Sequence, residues 1–203
     1  QRSTGISEDE LIKIAVKSMG LDDLAPFDPQ NRIIEYMLED LSAFPLIPLN
    51  LKQFVNETAS ESPAPGGGSI SAYVGALGVS LATMVANLSS HKPGWDIRWK
   101  EFSDYAEQGP KRKDELLKLV DEDTKAFNKI MDAFALPKSS DEEKLIRKNA
   151  IQHATKNAIE VPFRVMELSI KSFELIKSMA ETGNPNSVSD AGVGAICARA
   201  AVH

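Results

Sequence analysis

The sequence predicts an all-α fold, a multi-helix bundle packed around one uncharged central helix. Apolar residues recur at helical spacing between helix start and stop signals, and no stretch alternates apolar and polar residues as a strand does. In addition, the 22 residues from Ser69 to Ser90 include no charged side chain. A helix that is apolar all round is buried all round, so we expect this segment at the centre of the bundle.

Shorter helical segments precede the central helix. The first ends at Gly20, and the second begins at Asp28-Pro29, where a capping residue is followed by a first-turn proline. Pro45 and Pro48 then mark a linker, and the amphipathic segment 51–58 follows it. This part of the chain is therefore expected to be helical but interrupted.

Longer helices are expected after the central one. The segment 91–109 is polar and irregular, whereas residues 110–137 show a long helical pattern. A capping box at Ser140 opens another long helix, which ends at Gly183 and which Pro162 should kink. A last segment of small apolar residues follows and is also expected to be helical.

The length of the uncharged segment would allow it to cross a membrane. Its apolar residues are interspersed with hydroxyl and amide side chains, and many of the remaining residues are alanine or glycine. Small residues allow close contact between helices, so a tightly packed core helix explains the pattern better than a membrane span. We therefore expect no membrane association.

Composition and charge exclude several kinds of partner. The formal net charge is −6, which argues against sequence-independent binding of nucleic acid. Cys197 is the only cysteine and the three histidines are scattered, so a disulfide and a metal site built on these residues are not expected. A reducing, cytoplasmic location fits this cysteine usage. The chain begins at Gln1 and its last helix has no stop signal, so we expect a piece of a longer product.

Asp123 is the first candidate for chemistry. At helical spacing it lies in the middle of an apolar stripe, whereas Asp121 and Glu122 point away from it. The stripe is formed by Leu116, Leu119, Val120, Phe127, Ile130 and Phe134. A carboxylate at a packed interface is costly unless it is paired or protonated, and burial of a carboxyl group favours acid–base chemistry. The alternative is a structural aspartate that is satisfied by an arginine or by a helix cap.

Two loops are further candidates. The glycine-rich segment Gly66, Gly67, Gly68 and Ser69 would let backbone N–H groups approach an anionic ligand, or it is a sharp turn with Ser69 as the helix cap. It lacks the lysine and the spacing of a P-loop. The polar cluster 184–190 includes Asn186 and Asp190, and pattern alone gives it a structural role.

Taken together, these motifs resemble the cyclodeaminase domain of formimidoyltransferase-cyclodeaminase. The resemblance rests on Pro65 to Ser69, Ala76 to Gly78, Met84 to Leu88, Val120 to Asp123, Ala158 to Pro162 and Gly183 to Asp190. Residues 1–48 resemble the end of the transferase domain and the helical linker after it, and residues 49–203 resemble a C-terminally truncated cyclodeaminase domain. Segment 91–110 does not match the family clearly.

The resemblance implies conversion of 5-formimidoyltetrahydrofolate to 5,10-methenyltetrahydrofolate and ammonia, in one-carbon metabolism and histidine degradation. It also implies a helical homodimer that builds a larger oligomer, a linked formimidoyltransferase domain, and a folate substrate with neither a cofactor nor a metal. We expect Asp123 to act as acid and base, and Asp190 to be a second carboxylate that positions the amidine or the ammonia.

Substrate-binding roles are expected for Gly66, Gly67, Gly68, Ser69, Asn186 and Arg164. Arg164 follows Pro162 and could meet the carboxylates of the substrate, although an ordinary surface ion pair is the alternative. Two other functions stay open. One is methenyltetrahydrofolate cyclohydrolase activity on the same fold, and the other is a non-catalytic helical oligomerisation module.

Overall fold

The computed structural model describes residues 8–23, 25–37 and 45–203. These residues form helices and loops and contain no strand, which confirms the all-α prediction. The helices are α1 Glu8–Ser18, α2 Pro29–Arg32, α3 Ile34–Met37, α4 Leu51–Thr58, α5 Gly67–Ser90, α6 Trp99–Ala135, α7 Asp141–Thr182 and α8 Val188–Val202, with short 3₁₀ turns at Asp96–Arg98 and Pro185–Ser187.

The start and stop signals of several helices function as predicted. Gly20 has a φ of 63°, a left-handed conformation that suits glycine, and it follows the end of α1. Ser140 caps α7 through the backbone N–H of Glu143, as its capping box predicts. Asn50, for which the sequence predicts no cap, caps α4 through the backbone N–H of Gln53. α7 ends before Gly183, as predicted. It is 42 residues long and remains helical through Pro162.

The core of the bundle surrounds α5, which contacts α6, α7 and α8. Small residues permit this packing: a Cβ atom at Gly78 would lie 2.8 Å from the carbonyl oxygen of Gly194 on α8. α8 runs antiparallel to α5, since Gly75 lies near Ala201 whereas Gly78 lies near Gly194. α6 is also antiparallel to α5. The three helices therefore fix which residues lie at each end of α5.

The prediction that α5 is buried on every side is correct only in part. Leu77, Met84 and Leu88 are 44%, 38% and 47% exposed. Within the described ranges, α5 is the one helix that is long and apolar enough to cross a membrane, and 56% of its most apolar window is buried inside the bundle. One side of this core helix is thus partly exposed in the part of the chain that the structure describes.

Helix α6 begins earlier than the sequence predicts. The segment expected to be irregular is helical from Trp99 onward, and the helix continues through Pro110. Phe102 and Ala106 are completely buried, and Trp95 stacks on Phe102 with 5.5 Å between ring centroids. Burial of these side chains offsets the hydrogen bond that the proline removes, which costs about 3 kcal/mol in a helix interior.

The predicted apolar stripe of α6 is buried over its first half only. Leu116 and Val120 are fully buried, whereas Phe127 and Phe134 are 36% and 51% exposed. α5 begins at Gly67, and its next residue, Gly68, contacts Asp123. The residues of α6 beyond Thr124 therefore lie past the start of α5. The carboxylate of Asp123 therefore lies where the packed interface ends.

Candidate active site

Asp123 lies on α6 and contacts the first turn of α5. Its Oδ2 accepts hydrogen bonds from the backbone N–H of Ser69 at 2.9 Å and from the Ser69 hydroxyl at 3.1 Å. The unsatisfied N–H groups and the dipole of a helix N-terminus both favour a carboxylate in this position. Asp123 thus caps a neighbouring helix, which is one of the structural roles that the sequence left open.

The other oxygen of the same carboxylate is free for chemistry. Among the described residues, none donates a hydrogen bond to Oδ1, which faces the bare Cα of Gly68. A Cβ atom at Gly68 would overlap Oδ1 and lie only 2.6 Å from Cγ. Hydrogen bonds from Ser69 therefore hold Oδ2 of Asp123, and the lack of a side chain at Gly68 leaves room for Oδ1. Within the described ranges, Oδ1 can accept or donate a proton without breaking a hydrogen bond.

Ser69 can satisfy both protonation states of Asp123. Its buried hydroxyl lies 2.8 Å from the carbonyl oxygen of Val120, 3.1 Å from Oδ2 of Asp123 and 3.2 Å from Oγ1 of Thr124. A hydroxyl has one hydrogen and two lone pairs. It can donate to an ionised Asp123, or it can donate to Val120 and accept a hydrogen bond from a protonated Asp123.

The three glycines of the loop have different environments. Gly66 is the N-cap of α5, so the alternative with Ser69 as N-cap is wrong. No atom lies within 4 Å of a Cβ atom built at Gly67, whereas Gly68 is in contact with Asp123. Because Asp123 already places a negative charge at this helix start, the site favours a cationic group over an anion.

Asn186 and Asp190 lie toward the other end of α5. Asn184, in the same loop as Asn186, donates its backbone N–H to the Ser89 hydroxyl at 2.8 Å. Asp190 precedes Gly194 by one turn of α8, and Gly194 packs against Gly78. At 1.5 Å per residue, Asp190 is about 20 Å along α5 from Ser69. One chain does not bring Asp123 and Asp190 together, and the predicted role of Asp190 would require a second chain.

A cavity of about 490 Å³ adjoins this end of α5. The described residues that line it are Asn87, Leu88, His91, Lys92, Pro93, Asn184 and Asn186, and none of these carries a carboxylate. The ammonium group of Lys92 lies 4.1 Å from the centroid of the Trp95 ring. Oδ1 of Asn87 is buried, and none of the residues that the structure describes donates a hydrogen bond to it. The cavity therefore presents cationic and amide groups in a chain whose net charge is −6.

Arg164 forms ion pairs on the surface between α6 and α7. Its guanidinium lies 3.0 Å from Glu115 and 3.5 Å from Glu167, and all three side chains are largely exposed. This is the ion-pair alternative given by the sequence, and exposed pairs of this kind contribute about 0–1 kcal/mol. A role for Arg164 in substrate binding stays a prediction.

Asp121 is a buried carboxylate that the sequence misplaces. Helical periodicity predicts that it points away from the packed interface, but it is completely buried. Its two oxygens accept the backbone N–H groups of Leu46 at 2.9 Å and Ile47 at 3.3 Å. Burial raises the pKa of Asp121 above 3.8, against the opposing effects of these two hydrogen bonds and of the charge on Lys125. The linker residues Leu46 and Ile47 cover this side of α6. The periodicity of α6 alone could not predict a contact with a segment so distant in the chain.

Comparison with known proteins agrees with the resemblance. The sequence model of the Formiminotransferase-cyclodeaminase family matches residues 50–203. The chain belongs to this family. The model of the Formiminotransferase domain matches residues 1–39. Within the described ranges, no group of three or more His, Cys, Asp or Glu residues could hold a metal ion.

Relatives within the family carry two enzyme names. The formimidoyltransferase-cyclodeaminase of Rattus norvegicus is 35% identical over 191 residues, which are 94% of this chain and 35% of the relative. This chain thus spans about a third of that relative. A methenyltetrahydrofolate cyclohydrolase of Methylorubrum extorquens is 35% identical over 150 residues, 74% of this chain and 72% of the relative.

A solved structure shares the fold. The formiminotetrahydrofolate cyclodeaminase of Thermotoga maritima superposes with a TM-score of 0.66 at 33% identity, and the match covers 76% of this chain and 73% of that one. Members of this family are therefore cyclodeaminases and cyclohydrolases that act on folate derivatives, and this chain has their fold.

Proposed function

We propose that this chain is a cyclodeaminase that converts 5-formimidoyltetrahydrofolate to 5,10-methenyltetrahydrofolate and ammonia. The observation that carries the proposal is the Asp123 carboxylate, which is anchored through Oδ2 to Ser69 and has Oδ1 free beside Gly68. A carboxylate with one fixed and one free oxygen suits a reaction in which a proton is first removed and then returned.

In the proposed reaction, N10 of the folate attacks the amidine carbon on N5, and a tetrahedral centre forms. Oδ1 of Asp123 takes the proton from N10 and then delivers it to the departing nitrogen. The C–N bond to this nitrogen breaks, ammonia leaves, and the lone pair of N5 completes the methenyl bridge. Protons and electrons balance without an oxidant, a reductant or a cofactor, and none is part of the proposal.

The charge of the site supports a cationic substrate group. The amidine carries a positive charge, and Asp123 provides a negative charge that is already oriented before the substrate binds. During the reaction, Ser69 can turn its hydroxyl toward Oδ2 or toward the carbonyl oxygen of Val120. This rotation would stabilise Asp123 both before and after it takes the proton.

The match of residues 1–39 to the formiminotransferase domain favours cyclodeaminase activity, because a transferase would supply the formimidoylated folate. We accordingly propose that this chain works with a linked formimidoyltransferase domain in cytoplasmic histidine degradation. The transferase match covers only a short segment, so no transferase activity is proposed for this chain.

Methenyltetrahydrofolate cyclohydrolase activity is the second candidate. The Methylorubrum extorquens relative favours it, because that match covers most of both chains. In this reaction water, rather than ammonia, adds to or leaves the methenyl carbon. Asp123 could transfer the proton in the same manner. Methenyltetrahydrofolate is the product of the cyclodeaminase reaction and the substrate of the cyclohydrolase reaction, so its absorbance follows both activities.

The decisive experiment is an absorbance assay of methenyltetrahydrofolate in both directions. We expect its formation from 5-formimidoyltetrahydrofolate, and loss of turnover by at least about a hundredfold in Asp123→Asn, as is typical for removal of an acid–base group. Glu122→Gln is the matched control, because Glu122 is the adjacent exposed carboxylate of α6. Consumption of methenyltetrahydrofolate without its formation would favour the cyclohydrolase. If the chain binds no folate at all, the non-catalytic oligomerisation module is the remaining alternative.

A further inference from the structure

Phe127 is the first residue of the apolar stripe of α6 that lies past the start of α5. Leu116 and Val120, which precede it in the stripe, are fully buried, whereas Phe127 is 36% exposed. Thr124, about one turn earlier, still lies 3.2 Å from the Ser69 hydroxyl of α5. The cover that α5 gives to α6 therefore stops about one turn before Phe127, and the phenyl ring is accessible from solvent.

The same ring adjoins the Asp123 carboxylate. Phe127 follows Asp123 by four residues. The two side chains therefore leave α6 about 40° apart around the helix and about 6 Å apart along it. Long side chains in a helix lean toward its N-terminus, so the ring of Phe127 covers the turn that carries Asp123.

The opposite side of the carboxylate is bordered by bare backbone. Oδ1 of Asp123 faces Gly68, and no atom lies within 4 Å of a Cβ atom built at Gly67, which is exposed. Within the described ranges, Phe127 makes no ring-to-ring or cation–π contact. A free carboxylate oxygen thus lies between open glycine backbone and an aromatic ring that has no aromatic or cationic partner.

We propose that Phe127 binds the p-aminobenzoyl ring of the folate and thereby places N10 beside Oδ1 of Asp123. N10 is bonded directly to this ring, so a contact with the ring orients the atom that attacks the amidine carbon. Aromatic pairs pack with their centroids about 4.5–7 Å apart, a distance that matches the spacing of Phe127 from Asp123 along α6. The inference rests on the proposed function, which supplies the folate, and it adds the residue that orients the nucleophile.

The chemistry of the folate decides which of its two ring systems lies on Phe127. The pterin carries several N–H groups and a carbonyl group on its edges, and these need hydrogen-bond partners when they are buried. Phe127 and the next residue of the stripe, Ile130, present only carbon atoms. The benzoyl ring also presents carbon atoms on both faces, so it loses no hydrogen bond on this surface.

Calorimetry tests the contact without turnover. The two ligands are p-aminobenzoylglutamate and 5-formyltetrahydrofolate, a stable analogue whose N5 group has no ammonia to lose. Phe127→Ala should weaken binding of both by about tenfold, as expected for loss of an aromatic pair and its buried area. Phe127→Tyr keeps the ring at a partly exposed position, so its binding should stay within about twofold of the wild type. Unchanged affinity in Phe127→Ala would overturn the proposal.

Phe134→Ala is the matched control, because it removes the same ring from the same stripe. Phe134 lies about 17 Å along α6 from Asp123, too far to contact a ring that is bonded to N10. Its ring already has a partner, since the guanidinium of Arg147 lies 5.6 Å from its centroid. Its affinity for both ligands should equal that of the wild type, and equal weakening in the Phe127 and Phe134 variants would overturn the proposal.

Light scattering of the two alanine variants tests another occupant of the stripe. If both variants change the association state of the chain while ligand affinity stays the same, the stripe is a contact between proteins. That result would also overturn the proposal. We expect the association state to be the same in the wild type, Phe127→Ala and Phe134→Ala.

Steady-state kinetics distinguish orientation of N10 from a merely structural role. Loss of the ring removes both affinity and alignment, so Phe127→Ala should raise KM and lower kcat, each by about tenfold. Phe127→Tyr should restore both values. A lower kcat at unchanged KM would instead indicate a smaller fraction of folded enzyme, and it would overturn the proposal.

Failure of this inference and failure of the proposed function give different results. Ligand binding that depends on Phe127, in a chain that forms no methenyltetrahydrofolate, would support the inference and contradict the cyclodeaminase reaction. Formation of methenyltetrahydrofolate by Phe127→Ala with wild-type kcat and KM would support the reaction and overturn the inference. A wild type that binds neither ligand would overturn both.

Discussion

Gly68 and Asp123 are in direct contact, and a Cβ atom at Gly68 would lie 2.6 Å from the carboxyl carbon of Asp123. The glycine is therefore required by a side chain on another helix rather than by its own backbone conformation. Because Gly68 has no side chain, Oδ1 of Asp123 can occupy the space that a Cβ atom would fill. This relationship explains one glycine of the loop in terms of the proposed chemistry.

Gly68→Ala is expected to lower kcat strongly while the fold is retained. The new methyl group must displace the carboxylate, so the Ser69 hydrogen bonds to Oδ2 are lost or distorted, and turnover should fall by at least about tenfold. Steady-state kinetics with circular dichroism as a check on folding would measure this. Gly67→Ala is the matched control, because no atom lies within 4 Å of a Cβ atom at that position. Equal losses in both variants would contradict the contact.

Ser69→Ala is expected to reduce kcat by about tenfold, as loss of one hydrogen bond to a charged group would. The backbone N–H of residue 69 still anchors Oδ2, but no hydroxyl remains to adjust to the protonation state of Asp123. Steady-state kinetics of the variant and of the wild type would measure this loss. Ser80→Ala is a suitable control, since the Ser80 hydroxyl donates to the carbonyl oxygen of Ala76 within α5. An unchanged kcat in Ser69→Ala would remove Ser69 from the mechanism.

The sequence predicts the helices well wherever a signal is local. The caps, the stop at Gly20 and the uncharged core helix each depend on residues that are close in the chain. The start of α6 is predicted too late, because Pro110 is a helix breaker in isolation and the compensating burial of Phe102 and Ala106 is tertiary. Helix periodicity places Asp123 on the packed face of α6, and the structure has it on that face in contact with the first turn of α5.

Contacts between distant segments could not be predicted from periodicity. Asp121 is buried by the linker residues Leu46 and Ile47, which are 75 and 74 positions away. Likewise, the antiparallel course of α5 and α8 separates Asp190 from Asp123, although both stand out in the sequence as candidate carboxylates.

Arg164→Gln is expected to have little effect on stability or on KM. Both of its ion pairs are exposed to solvent, so the free energy of unfolding should change by less than about 1 kcal/mol. Urea unfolding and steady-state kinetics would measure the two quantities. A marked rise in KM without a change in stability would instead support the substrate-binding role that the sequence suggests.

Asp121 makes the stability of the fold depend on pH in a direction that can be worked out. Because burial raises its pKa above the unfolded value of 3.8, the folded chain holds the proton to higher pH than the unfolded chain. The contribution of Asp121 to stability is therefore largest below pH 3.8. It declines as the pH rises from 3.8 through the raised pKa, by about 1.4 kcal/mol for each pH unit that separates the folded and unfolded pKa values.

Urea unfolding of the wild type and of Asp121→Asn from pH 3.5 to pH 7 tests this linkage. The amide replaces one acceptor with a donor, so either Leu46 or Ile47 loses its partner, which costs about 1–3 kcal/mol for a buried N–H group. The wild type should exceed the variant in stability most at the acidic end, and the difference should shrink toward neutral pH because only the wild type ionises at this position. A difference that grows toward neutral pH would mean that the two backbone hydrogen bonds outweigh desolvation at Asp121.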